Sequence, residues 1–265
     1  MRHAILAVIL LLGLAPRPGM AADAAPLALA AHRASYALTL QSARGDVVAA
    51  SGNMAYEVTD ACDAWAVRQR LTMTVTNRNG QDIEMVSDYT TWESKDGLRL
   101  RFRLRQTTED AVRSELSGKA SLSHTGGPGV ASYDMPPDTS KDLPAGTVFP
   151  MAHTELLLQA ARAGKKFIAL PLFDGTSADG AQNTGVAITG WDKPAPNKYK
   201  VLAALPSTRV HIGFFDRDKH ALLPDYEVSM RYWANGIADD LSMDFGSFVM
   251  RGTLTSLVLP AKPSC

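Results

Sequence analysis

Four arginines at alternate positions, Arg99, Arg101, Arg103 and Arg105, are the densest chemistry-bearing pattern in the chain. A strand rises about 3.3 Å per residue, so they share one face at roughly 6.6 Å spacing. A guanidinium grips carboxylate or phosphate through paired N–H donors. The ladder is therefore a candidate surface for an acidic partner. The other reading is a solvated outer face neutralised by Glu84, Asp88 and Glu93 on the preceding strand. Those neighbouring acids make the neutralised face the preferred expectation.

Signatures of enzymatic chemistry are missing from the sequence. There is no G-x-S-x-G elbow, no S-x-x-K, no H-E-x-x-H and no phosphate-binding Walker loop. His153 stands at the approach to a helical segment and reads as a capping or packing residue. His211 falls in a strand. His220 ends the turn Asp216-Arg217-Asp218-Lys219-His220, which reads as solvated because it lacks the glycine and terminal glutamate of a calcium loop. Arg44-Gly45-Asp46 matches an adhesion tripeptide but reads as a polar turn. No catalytic residue, metal ligand or cofactor is expected, and the chain is not expected to be an enzyme.

The elements that must carry these residues are mostly strands. From His32 onward the hydrophobic period is two. Val67, Leu71, Met73 and Val75 share a face on which Gln69 is the one polar residue. Leu98, Leu100, Phe102 and Leu104 form the apolar face behind the arginines. Asn79-Gly80, Lys95-Asp96-Gly97, Asn235-Gly236 and Gly246-Ser247 are turn signals. Arg209–Asp216, Asp225–Ala234, Ile237–Phe245 and Phe248–Leu259 read as four strands. Gly126 to Gly129 and Pro136 to Pro144 read as loops, and the stretch 126–146 is the best boundary were there two halves. One segment, 154–163, is rich in helix formers. Thr154 is its expected N-cap and Gly164 its C′ residue, and Leu157, Ala160 and Ala161 should pack on a sheet. The expectation is an all-β, mainly antiparallel protein with one main helix, forming a barrel, a sandwich or an open curled sheet. A sheet this long must curl or close to hide its edges.

Charge limits the partners. Lys+Arg and Asp+Glu are both 27, which leaves neither the basic footprint of a nucleic-acid binder nor a polybasic attraction to membranes. Met1-Arg2-His3 followed by the apolar run Ala4 to Ala15, then Pro16, Pro18 and small residues, predicts a secretory signal over 1–24, cut near Ala22 or Ala24. No cysteine adjoins that cut, so no lipid anchor is expected there. No later stretch is apolar enough for a membrane-spanning helix. Residues 25–265 are expected as a single domain in the periplasm. Export places Cys62 and Cys265, the two cysteines of the chain, in an oxidising compartment, where an even count reads as a disulfide. Two free thiols or an intermolecular bond are the alternatives.

Several strings in order resemble one family. They are Arg33-Ala34-Ser35-Tyr36-Ala37-Leu38, Gly52-Asn53-Met54-Ala55-Tyr56-Glu57, Asp60-Ala61-Cys62-Asp63-Ala64-Trp65 and Trp92-Glu93-Ser94-Lys95-Asp96-Gly97. Leu143-Pro144-Ala145-Gly146-Thr147-Val148-Phe149-Pro150, Leu172-Phe173-Asp174-Gly175 and the terminal Cys265 complete the set. Together they resemble the envelope integrity protein B (EipB) family of alphaproteobacterial periplasmic proteins. The resemblance implies an incompletely closed, curled sheet, a β-spiral, with a disulfide near the C-terminus. It also implies non-enzymatic maintenance of the cell envelope with a TPR-repeat periplasmic protein as partner. An alternative function is carriage of a lipid-like envelope molecule inside the curl.

Overall fold

The computed structural model describes residues 27–217 and 223–265. The expected signal peptide and most of the 216–220 turn, His220 included, lie outside the described residues. The first eight strands form a meander: β1 (His32–Ala43), β2 (Val47–Asp60), β3 (Ala64–Asn77), β4 (Asp82–Ser94), β5 (Arg99–Thr108), β6 (Ala111–Leu122), β7 (Gly129–Met135) and β8 (Thr139–Leu143). The helix α1 (Pro150–Arg162) follows. A second meander contains β9 (Phe167–Leu172), β10 (Gln182–Ile188), the short helix α2 (Lys200–Ala203), β11 (Ser207–Phe215), β12 (Tyr226–Trp233), β13 (Ala238–Asp244) and β14 (Phe248–Val258).

Pairing of β1 with β14 joins the two meanders into one 14-stranded antiparallel sheet with β8 and β9 at its edges. The sheet curls without closing. The chain from β8 into α1 spans the gap, and there Val148 makes an isolated parallel bridge to Leu172. Its N–H donates to the Pro171 carbonyl at 2.9 Å and its carbonyl accepts from the Phe173 N–H at 3.0 Å. Both edges are thus blunted, one by the linking segment and one by the short β8.

Alternation decides which side faces in. Leu100, Phe102 and Leu104 are 1–4% exposed while the arginines between them are exposed. The turns at Gly80, Gly97, Gly236 and Gly246 adopt positive φ, as their sequences predict. The stretch 126–146 departs from expectation. It is no linker, because it holds β7 and β8, and Thr139–Leu143 is a strand inside the segment read as a loop. Its prolines fall outside the ladder hydrogen bonds, so they punctuate the strands without breaking them.

The helix begins four residues earlier than predicted. Pro150 occupies the first turn, where its missing N–H costs nothing and its fixed φ suits the helix. Thr154 is inside the helix, with its Oγ1 donating back to the Pro150 carbonyl at 3.1 Å. The C-terminus follows the predicted pattern. Gly164 has φ +77°, its N–H donates to Ala161, and the Lys165 N–H donates to Ala160. Leu157, Ala160 and Ala161 enter the core with residues of β1 and β10 to β14. A second cluster gathers Phe102, Tyr133, Phe149 and Phe173 in edge-to-face contacts near the gap.

Candidate functional site

The curl encloses a cavity of about 280 Å³. Its wall is drawn from both meanders: Tyr36 of β1, Met54, Tyr56 and Val58 of β2, Gln69 of β3 and Tyr89 of β4 on one side. Ile212 and Phe214 of β11, Tyr226, Met230 and Tyr232 of β12, and Leu241 and Met243 of β13 stand on the other. Met151 and His153 of α1 project into it, and Leu29 and Ala30 border it near Gly236. Period-two alternation is what collects these side chains on one surface. Gln69, the polar residue on an otherwise apolar strand face, was the sequence signal of this interior, whereas its tyrosines looked like ordinary strand residues.

The wall is apolar and aromatic with a few neutral polar tips. Tyr36 donates its hydroxyl to the Ala238 carbonyl at 2.7 Å and Tyr89 donates to the Asp174 carbonyl at 2.5 Å. Burial raises the phenols of Tyr36, Tyr56, Tyr89 and Tyr232 above their ordinary range, so they stay neutral. The Nε2 of His153 lies 3.1 Å from Thr184 Oγ1, which itself donates to the Leu170 carbonyl. The hydroxyl proton is used there, so the imidazole donates through Nε2. Burial lowers this histidine to about 4 and also lowers His32, whose Nδ1 is 2.8 Å from the Ala30 carbonyl. Among the described residues no Lys or Arg lines the cavity, and Asp174 is the one carboxylate on its wall. Its Oδ1 accepts from the Thr176 N–H and Oγ1. Such a wall suits a neutral, largely apolar guest.

Glu93 holds α1 against this interior. It is 1% exposed, and its two carboxylate oxygens accept from the Met151 and Ala152 N–H groups at 2.7 and 2.9 Å. Phe149, the N-cap, offers no side-chain bond, so a carboxylate from a distant strand caps the helix. Burial pushes Glu93 up to about 7, against the opposing pull of the two N–H groups, and Glu155 adds to the rise.

This placement corrects the expected neutralisation of the arginine ladder. Glu93 pairs in register with Leu100, on the inner face. Glu84 stands opposite Thr74, and its N–H is bonded to Glu109. Asp88 lies opposite Arg105 but bonds Arg70 at 2.9 Å. Arg103 finds its acid on the following strand, Glu115 at 3.1 Å. Arg101 lies over the Trp92 ring at 5.3 Å. The four arginines are exposed together on the outer face, remote from the cavity chemistry.

Cys62 and Cys265 are bonded, with Cα atoms 5.8 Å apart and a sequence separation of 203. Arg44-Gly45-Asp46 forms the β1–β2 turn, its Arg44 held by Asp244 at 3.0 Å. His211 bonds Glu227 and Ser229 on the outer face. Among the described residues no three His, Cys, Asp or Glu side chains are grouped to hold a metal, and no helix is long and apolar enough to cross a membrane.

A model of the EipB-like family matches residues 23–260. The chain is 31% identical over 247 residues to the cell envelope integrity protein EipB of Brucella abortus (strain 2308), spanning 90% of this chain and 87% of that one. A crystal structure of a beta-barrel-like protein from a domain family of unknown function, also from Brucella abortus, superposes with a TM-score of 0.81. The two are 30% identical, and the match covers 89% of this chain and 100% of that one.

Proposed function

Because this chain belongs to the EipB-like family, we propose that it maintains cell-envelope integrity in the periplasm, as a binding protein without catalytic activity. The observation carrying this reading is the 31% identity to the Brucella envelope protein across nearly the whole chain. The partner class in this reading is a periplasmic TPR-repeat protein, bound on the outside of the curl. The absence of catalytic motifs in the sequence agrees with it. A strain lacking this chain should be sensitised to detergent and should recover with the wild-type gene. Unchanged detergent resistance on deletion would overturn the envelope role. Capture of no TPR-repeat protein from cross-linked periplasm would overturn the partner.

The cavity favours a second reading, carriage of a lipid-like molecule inside the curl. Its 280 Å³ and largely apolar, aromatic wall, with Asp174 the one carboxylate among the described lining residues, suit an acyl chain better than a charged metabolite. Organic extracts of the purified protein should then yield a stoichiometric lipid by mass spectrometry. Extracts free of lipid, together with no displacement of a fluorescent fatty acid, would remove this reading and leave the first intact.

A further inference from the structure

The outer face of β4 to β7 carries a second hollow, of about 300 Å³, bordered by Trp92, Arg99, Arg101, Lys119, Ser121 and Ser132. We propose that it binds a phosphate ester, carried on a sugar or on a lipid headgroup. The site is independent of the interior cavity and of the envelope role argued above.

Charge comes first. Among the described residues three cations border the hollow and no carboxylate does. None of the ion pairs among the described residues involves Arg99, Arg101 or Lys119. The nearby acids are committed or displaced. Asp96 feels Arg99, but its Oδ1 accepts from Ser94 Oγ and the Leu98 N–H. Glu115 takes Arg103. Asp142 is opposite Val130, which is opposite Ser121, so it sits three strands from Arg99, roughly 14 Å at about 4.8 Å per strand. Asp134 falls at the bulge of β7, beyond ion-pair distance of Lys119.

Register then sharpens the point. Arg101 and Lys119 are direct cross-strand partners, an arrangement of like charges that weakens a sheet. A fold keeps such a repulsion without a neutralising acid where a ligand supplies the missing charge. Arg101 is also pre-positioned over the Trp92 ring at 5.3 Å, a contact that uses the face of a guanidinium and not its in-plane N–H donors. Arg99 is two residues along the same strand, roughly 6.6 Å away. Three cationic donors converging from two strands suit a phosphate ester, whose non-bridging oxygens each accept from more than one donor. The Ser121 and Ser132 hydroxyls can donate to the remaining oxygens.

The test uses the oxidised protein and isothermal titration with inorganic phosphate and glucosamine 6-phosphate. Sedimentation with phosphatidylglycerol or phosphatidylcholine vesicles completes it. Saturable binding of a phosphate probe, weakened by added salt, is expected. The double change Arg101→Gln/Lys119→Gln should lower the affinity at least tenfold. Arg105→Gln/Arg113→Gln removes the same charge elsewhere on this face and should bind as wild type. Were the first pair to misfold, the single exposed change Arg99→Gln reads the same loss. Binding of the sugar phosphate alone or of phosphatidylglycerol vesicles alone identifies the source, and either supports the site. Equal weakening by both double variants, no saturation by any phosphate probe, or tighter binding of polyglutamate would overturn it.

Discussion

Replacing Glu93 with glutamine should make the protein's stability depend on pH differently from the wild type. The carboxyl is about 7 in the fold and 4.5 in its ordinary range, the rise coming first from burial. Between those values the native state binds more protons than the unfolded chain, so stability falls as pH rises from below 4.5 to above 7. At about 1.4 kcal/mol per pH unit, the full change is about 3 kcal/mol. Glutamine keeps an oxygen for one of the Met151 and Ala152 N–H groups, sets its amide NH2 against the other, and cannot ionise. Urea unfolding of both proteins at pH 4, 6, 7.5 and 8.5, disulfide intact, gives the difference curve in which all other titrations cancel. Near pH 4 the glutamine variant should be the less stable by about 1–3 kcal/mol, the cost of the one N–H left without an acceptor. By pH 8.5 the glutamine variant should have gained about 3 kcal/mol on the wild type. Glu93→Ala should lose about 1–3 kcal/mol at pH 4 for each N–H left without an acceptor, a loss that shrinks by about 3 kcal/mol by pH 8.5 because alanine cannot ionise either. A flat difference curve between pH 4 and 8.5 would refute the account of Glu93 as a desolvated cap.

His153 should show the opposite sign: lowered from 6.5 to about 4 by burial, it costs the wild type about 3 kcal/mol as pH falls across that window. His153→Gln should lack that fall in the same urea series, and the Glu93 and His153 contributions should offset each other between pH 4.5 and 6.5. Cys62→Ser should lower stability by a few kcal/mol, up to the roughly 5 kcal/mol that chain entropy assigns to a closed loop of this length, measured by thermal unfolding; a loss under 1 kcal/mol would contradict it. Gly175→Ala should cost about 2–5 kcal/mol in chemical unfolding, because φ is +77° and the new Cβ would overlap the Phe102 ring. A milder effect would mean the Phe102 cluster repacks freely.

Much of the fold was legible because strand alternation and turn glycines are local. The residues Leu100, Phe102 and Leu104 announce their buried face without reference to anything distant, and Asn235-Gly236 announces its hairpin. The Gly164 helix stop is equally local. The helix start was missed because Thr154 looked like a cap, while the actual signal, Pro150 at the first turn, depends on which residue supplies the acceptors. That residue, Glu93, is 58 positions away from Met151.

The sequence by itself therefore determined most element types, the two faces of the strands it read and the glycine turns, since each rests on the geometry of neighbouring residues, while β8 stayed hidden in a segment read as a loop. Tertiary structure alone decided which acids meet which cations. Side chains alternate with a period of two, so a single residue of register sends a carboxylate from the arginine face to the interior. The pairing of Glu93 with Leu100 sent it inward, to cap α1, and took it from the ladder. The same register set Arg101 against Lys119 and gathered the cavity wall from strands more than a hundred residues apart. No local pattern encodes the meeting of Glu93 with α1 or of the two halves of the cavity wall, because both exist only once the sheet has curled.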